Sequence, residues 1–372
     1  MKFDIFCQVI DNYGDIGICW RLARQLHQEH GVAVRLWVDD LQSLQRLCPE
    51  ADPALDAQLL SGIEIRRWNK DFVPIPPADV VIEGFGCALP ETYLQAMAGR
   101  PRAPVWINLE YLSAETWIDG CHGLPSPHPR LPLTKHFFFP GFSPASGGLL
   151  RERGLIERRE QLQQNPAALW QRLGITPPGP AQTTVSLFCY DNAPISGLLN
   201  AWHQAGAPLR CLMPAGRGLS GVAAWFGRSG VAAGERLSRG NLQLEALPFL
   251  RQEDYDLLLW ACDCNFVRGE DSFVRAQWAG RPLVWQAYVQ EEDTHQLKLA
   301  AFLDRYGAAL DPAAAQALRR MHLAWNGPAA PDWQAFRAQL PALQKHAAAW
   351  AAVLAQAPDL ASNLVIFCKN RV

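Results

Sequence analysis

Short apolar runs alternate with amphipathic segments along the N-terminal part of the chain. Residues 3–10, 32–38, 63–68, 80–83 and 105–109 read as strands. Between them, residues 16–27 place Ile16, Cys19, Trp20, Ala23 and Leu26 on one helical face, and 41–48 and 90–98 show the same period. Residues 119–148 break this rhythm. Proline and glycine are frequent there, an apolar stretch at 137–139 sits inside, and a long irregular connection is expected. A helix rich in Arg, Glu and Gln is expected over 149–173, ended by Gly174. The alternation then restarts, with strands at 183–188, 209–213, 242–246, 264–267 and 283–285 and helices at 196–205, 255–260 and 272–279. From Ala313 onward the chain is rich in Ala and Gln and reads as helical.

This alternation predicts an α/β fold in which parallel sheets carry helices on both faces. Its two stretches read as two domains of similar build, with no sequence repeat between them. The length agrees, since 372 residues at roughly 150 per domain make about two. Open parallel sheets bind ligands beyond the carboxyl ends of their strands. Two such sheets facing each other would bring two sets of strand-end loops into one cleft.

Composition removes several function classes. Hydrophobic residues make up 49%, which excludes a disordered chain. The 34 basic and 36 acidic side chains leave a formal charge of −2, against a nucleic-acid binder that relies on bulk basic charge. No apolar run approaches the roughly 18 residues of a membrane helix. The N-terminus has Asp4 inside its apolar run and no small-residue cleavage site, so it reads as a strand and the expected compartment is the cytoplasm. Ten cysteines are scattered without paired spacing, and Cys262 and Cys264 are too close for a zinc knuckle. Nine histidines show neither HExxH nor a facing pair, so no metal is expected. GxSxG and the Walker A lysine are absent, and Cys189 has no histidine beside it in sequence.

The strand-end loops hold the candidate chemistry. After the first strand, Asp11-Asn12-Tyr13-Gly14-Asp15-Ile16-Gly17 sets two carboxylates four positions apart among glycines that permit close approach. Asp11 suits an Asx-turn as well as a site, and Asp15 suits either a helix cap or a proton acceptor at the strand mouth. This loop is not the GxGxxG fingerprint of dinucleotide folds. Glu83-Gly84-Phe85-Gly86 and Glu110-Tyr111 follow later strands, and Tyr111 fits a ligand wall or packing beneath a loop. In the second half, Phe188 and Tyr190 end a strand where aromatic rings can stack on a base or close the core. The segment Arg268-Gly269-Glu270-Asp271-Ser272 turns from strand into helix. Its helix N-terminus offers unpaired N–H groups to a phosphate, Arg268 neutralises charge, and Glu270 and Asp271 suit sugar hydroxyls.

Six segments together resemble the elongation factor P arginine rhamnosyltransferases: DNYGDIGICWRLARQL (11–26), INLEYLSAETW (107–117), LTKHFFFPGF (133–142), LPFLRQEDYDLLLW (247–260), RGEDSFVRAQ (268–277) and AGRPLVWQAYVQEEDTHQLK (279–298). They follow one another over nearly the whole chain. The resemblance implies a GT-B glycosyltransferase with two facing Rossmann-like domains. We assign 1–150 to the acceptor side and 151–350 to the nucleotide-sugar side, with a C-terminal helix at 351–372 returning to the first. It implies transfer of L-rhamnose from dTDP-β-L-rhamnose to an arginine of elongation factor P, with inversion and without metal or other cofactor. It implies Asp15 as general base supported by Asp11, and Glu270 and Arg268 in the catalytic site. Phe188, Tyr190, Phe249, Gln252, Asp271 and Ser272 would bind the donor, with Phe249 against the thymine and Asp271 and Ser272 at the diphosphate. Tyr255 and Tyr288 match more weakly. The residues alone leave two alternatives open, a GT-B enzyme with another donor or acceptor and a non-catalytic binding protein of the same build.

Overall fold

A computed structural model describes residues 1–11, 13–69, 72, 75–289 and 294–372. Asn12 of the first loop and residues 290–293 of the 279–298 segment lie outside the described residues. The chain divides into two units, Met1–Arg153 with Ala355–Val372, and Gly154–Leu354.

The first unit opens β1 (Lys2–Cys7), α1 (Gly14–His30), β2 (Ala33–Val38), α2 (Leu41–Leu47), β3 (Ala57–Leu60), β4 (Ile63–Arg67), β5 (Val80–Gly84), α3 (Glu91–Ala98) and β6 (Val105–Leu109). It continues with α4 (Ile118–Cys121), β7 (Pro125–Pro127) and β8 (Thr134–Phe138). Eight strands form one sheet in the order β3-β4-β2-β1-β5-β6-β8-β7, parallel except at the edge pairs β3/β4 and β7/β8. The central strands are buried along nearly their whole length, which is why they read as largely apolar runs. The core stacks Phe6 on Trp37 at 5.4 Å, with Tyr93 at 4.9 Å from Phe6. Polar Asp4 is tolerated there because Arg35 donates Nε and Nη2 to its two oxygens, both at 2.6 Å.

The connection expected over 119–148 is irregular only in part. It contains α4, β7 and β8, and β8 extends the sheet with Asn108 opposite Phe137. The apolar run 137–139 was the trace of that strand. Prolines hid the rest, because Pro125 and Pro127 occupy an edge strand that tolerates missing donors. Strand β3 is likewise an edge strand with alternating exposure and too few apolar residues to stand out. The C-terminal helix Leu360–Lys369 packs on α1, where Gln25 Nε2 donates to Asp359 Oδ1 at 3.0 Å and to the Arg151 carbonyl at 2.7 Å.

The second unit begins with α5 (Leu155–Gln164) and α6 (Pro166–Leu173). One helix was expected over 149–173. The chain breaks at Asn165 because Pro166 disfavours a helical residue before it, and Asn165 Oδ1 then caps α6 by accepting the Ala168 N–H at 3.2 Å. Next come β9 (Thr183–Leu187), α7 (Ile195–His203), β10 (Leu209–Pro214), α8 (Leu219–Trp225), β11 (Arg236–Arg239) and β12 (Leu242–Leu247). Then follow α9 (Gln252–Ala261), β13 (Cys264–Arg268), α10 (Asp271–Ala279), β14 (Leu283–Gln286) and helices α11 (Thr294–Gly307), α12 (Pro312–Trp325), α13 (Trp333–Ala338) and α14 (Leu340–Leu354). The sheet order is β11-β12-β10-β9-β13-β14, parallel except for β11.

In both sheets the strand order reverses beside the first strand, between β1 and β5 in one unit and between β9 and β13 in the other. Such reversals splay the following loops apart and open a crevice at the carboxyl ends. Behind the second crevice, α9 and α10 are locked by a buried ion pair. Arg275 donates Nε to Asp256 Oδ1 at 2.9 Å and Nη2 to Oδ2 at 2.7 Å. No described helix is long and apolar enough to cross a membrane.

Removing one member of a buried pair strands the other charge. Asp256→Ala is expected to lower unfolding free energy by about 3–5 kcal/mol in urea titrations, and Asp256→Ala with Arg275→Met to recover most of it. Equal loss in the single and double variants would show that the pair does not carry this packing.

Candidate functional site

Asp15 stands in the first turn of α1 but points back along the loop from β1. Its Oδ2 accepts the N–H groups of Ile10 and Asp11, both at 2.8 Å, and its Oδ1 accepts the Tyr111 hydroxyl at 3.4 Å. It is not the helix cap. That position is Tyr13, which makes no side-chain capping bond. The Asp15 side chain belongs to a residue only 2% exposed. Burial pushes its carboxyl above the ordinary aspartate range, the two backbone donors pull it partly back, and the nearby Asp11 charge adds to the upward push. Asp11 is buried beside it. Gly14 lets Asp11 approach closely, since a Cβ at that position would stand 2.8 Å from Asp11 Oδ2 and push its side chain aside.

The neighbouring strand ends β5 and β6 are tied to each other next to this carboxylate. Phe85 donates its N–H to the Leu109 carbonyl at 2.7 Å, and Gly86 donates to Asn108 Oδ1 at 3.0 Å. Asn108 Nδ2 in turn donates to Glu110 Oε1 at 2.6 Å. Phe85 sits at φ 59°, and its ring stacks on Tyr111 with centroids 4.6 Å apart.

In the second unit the ends of β9 and β13 meet around Arg268. Its guanidinium carbon lies 4.5 Å from the ring centres of both Phe188 and Tyr190, so the cation is held between two aromatic faces. Tyr190 donates its N–H to Gln286 Oε1 at 2.9 Å, which fixes the loop to the end of β14. The Ser272 hydroxyl accepts the Arg268 N–H at 3.1 Å and donates to the Arg268 carbonyl. Its proton is therefore committed within the turn. What the turn has to give an anion is the set of first-turn N–H groups of α10, not the Ser272 hydroxyl.

Gly269 makes this tight reversal at φ 58°, and its carbonyl accepts Trp285 Nε1 at 2.8 Å. Glu270 holds the N-cap position of α10 without a side-chain capping bond. Gln252 Nε2 donates to Asp271 Oδ2 at 3.2 Å, joining the first turns of α9 and α10. Tyr255 packs 5.6 Å from Phe188, and its buried hydroxyl lies near Ser272 without a well-formed hydrogen bond among the described residues. Phe249 is half-buried in the turn from β12 to α9. Tyr288 is 43% exposed and meets Tyr190 edge-on at 5.6 Å.

The structure thus gathers Asp11 and Asp15 in one unit, and Phe188, Tyr190, Tyr255, Arg268 and Ser272 in the other, with Gln252 and Asp271 joined to each other. Sequence reasoning missed Gln286, a polar residue closing an apolar strand, and it named Phe85 only as part of a strand-end loop, whereas the structure stacks its ring on Tyr111. It left Tyr111 unresolved between ligand wall and packing, and the structure sets its hydroxyl against Asp15.

The family described as elongation factor P (EF-P) rhamnosyltransferase EarP matches residues 3–369. A protein-arginine rhamnosyltransferase of Pseudomonas aeruginosa is 51% identical to this chain over 98% of each. One from Pseudomonas putida is 50% identical over 99% of this chain and 98% of its own length. A solved structure concerned with EarP-mediated arginine glycosylation of translation elongation factor EF-P is similar with a TM-score of 0.71 and 37% identity, covering 100% of this chain and 99% of that one. MurG of Acinetobacter baumannii, 13% identical with a TM-score of 0.52 over 99% of each chain, shares the fold. These structures are GT-B glycosyltransferases, and the fold of this chain is of that class.

Because the Asp11 charge adds to the upward push on Asp15, Asp11→Asn is expected to move the Asp15 titration to lower pH. Carboxyl carbon NMR with Asp15 assigned reads this directly. A titration that stays in place in Asp11→Asn would show that burial alone sets it.

Proposed function

The chain belongs to the elongation factor P rhamnosyltransferase family, and we propose that it moves L-rhamnose from dTDP-β-L-rhamnose to an arginine of elongation factor P with inversion at the anomeric carbon. That it is a protein-arginine rhamnosyltransferase follows from its relatives. The donor, the acceptor protein and the residue roles are the proposed part, and an acceptor that serves translation implies a cytoplasmic reaction.

The observation that carries the reading is Asp15, a buried carboxylate with a raised pKa beside a second carboxylate at a strand end. An arginine guanidinium is protonated near neutral pH and is a poor nucleophile. A carboxylate can hold it by paired hydrogen bonds and aim one nitrogen at the anomeric carbon. As that nitrogen forms its bond to carbon, the bond from carbon to the dTDP oxygen breaks, and the guanidinium gives a proton to Asp15. Prior removal of the proton would be costly for a group of pKa above about 12, so proton loss accompanies or follows attack. A carboxyl raised above the ordinary range is a better acceptor for this step.

The departing dTDP gains negative charge. The first turn of α10 supports the reading that the C-terminal unit takes that charge, since its N–H groups and helix dipole favour an anion without a divalent ion. Phe249 borders the thymine with Gln252 in the same pocket. Phe188 and Tyr190 hold Arg268 beside the donor, and Glu270 completes the site.

Mixing the enzyme with elongation factor P and dTDP-β-L-rhamnose is expected to raise the acceptor's intact mass by one deoxyhexose, and an unchanged mass with active donor would defeat the proposal. Asp15→Asn is expected to reduce transfer by at least about a hundredfold while dTDP affinity in calorimetry stays near wild type. Equal loss of both would remove Asp15 from the acceptor step. Asp271→Ala is expected to weaken dTDP binding about tenfold, a 1.4 kcal/mol change, and wild-type affinity would remove the Asp271 side chain from the donor site.

A further inference from the structure

We infer that Tyr111, braced by Phe85, is a positioning residue that holds Asp15 Oδ1 in place for the arriving guanidinium. The inference rests on the reading of Asp15 as the proton acceptor.

The ends of two strands of the first sheet, with β5 between them, meet at this carboxylate. β1 and its loop supply the two N–H groups that fill Oδ2, and β6 supplies Tyr111 just beyond its end. With Oδ2 taken by the backbone, Oδ1 is the oxygen left to meet a substrate nitrogen. The group that faces it is the Tyr111 hydroxyl at 3.4 Å, the long end of hydrogen-bond range. A long bond from a neutral hydroxyl can orient a carboxylate and still yield room to a stronger, charge-assisted donor such as guanidinium.

The bracing is costly enough to need a reason. Phe85 occupies the left-handed region at φ 59°, which for an aromatic residue costs on the order of 1 kcal/mol or more. Its N–H bond to Leu109 and the Gly86–Asn108 bond hold it there. What that conformation delivers is a ring lying nearly parallel to Tyr111, 18° between planes, which fixes the tyrosine ring and so the direction of its hydroxyl. Packing alone would not demand a hydroxyl at this end of the ring.

The sign of the effect on titration follows. The Tyr111 bond pulls the Asp15 carboxyl downward against the push of burial. Without it the carboxyl stays protonated to higher pH, and a base is idle while protonated.

Tyr111→Phe keeps the ring and its stack and removes only the hydroxyl. With dTDP-β-L-rhamnose and elongation factor P, the acid limb of its kcat/KM profile is expected to move to higher pH by about half a unit. Its kcat is expected to fall more than KM changes, with dTDP affinity unaltered. Phe85→Leu, which retains the hydroxyl but loosens its ring, is expected to shift the limb in the same direction by less. A Tyr111→Phe limb coincident with wild type, with activity merely scaled at every pH, would overturn the inference. The two readings fail separately. Full transfer by Asp15→Asn would sink the base assignment, whereas loss of transfer in Asp15→Asn with an unmoved Tyr111→Phe limb would sink only the role of Tyr111.

Discussion

The burial of one carboxylate organises the first half of this molecule. Taking a carboxylate out of water is costly unless donors replace its hydration. Asp15 is 2% exposed, and the replacement donors are backbone N–H groups of the loop that leads into its own helix. That requirement fixes the loop. It bends back over the start of α1, Gly14 lets Asp11 approach closely, and Tyr111 closes the remaining side. The arrangement leaves Asp15 a poorly solvated and readily protonated group, the state in which a carboxylate can both attract a cation and accept its proton.

The second half solves the opposite problem. There a cation, Arg268, is buried between two aromatic faces, and a helix N-terminus lies at the same strand end. Ser272 spends its hydroxyl on closing the turn from β13 into α10. The Arg275–Asp256 pair behind it holds α9 against α10, so Gln252 and Asp271 stay within hydrogen-bond distance. One unit thus buries two carboxylates, and the other buries a guanidinium beside a helix N-terminus. A formal charge of −2 over 372 residues conceals two local fields of opposite sign.

Most parallel strands were legible in the sequence because burial makes them largely apolar, as in Val80-Val81-Ile82 of β5 and Leu209–Pro214 of β10, whereas β8, parallel to β6, is disguised by Thr134, Lys135 and His136. The edge strands β3, β7 and β11 were not legible, since an edge strand needs little apolar character and tolerates proline. The break between α5 and α6 was written in Asn165-Pro166 but lay under a strong helical composition. Among site residues, Asp11, Asp15 and the 268–272 turn were legible because carboxylates, arginine and glycine at strand ends carry chemistry by type. Their division into acceptor and donor roles came from the resemblance to a family. Tyr111 was illegible as a partner of Asp15, and Phe85 as the brace of Tyr111, because these relations depend on which strands are neighbours in the sheet, and β5 and β6 lie far from β1 in sequence. Ser272 was legible as a site residue, but the direction of its hydroxyl was not.

Transfer by way of Asp15 requires the acceptor guanidinium to come to rest against the carboxylate oxygen Oδ1. A crystal structure of the enzyme with elongation factor P and an inert dTDP-rhamnose analogue measures that position. The expected result is Asp15 Oδ1 within about 2.6–3.2 Å of the arginine nitrogen that faces the anomeric carbon. A guanidinium paired to other carboxylates, with Asp15 bonded only to its own loop and beyond reach, would contradict the account.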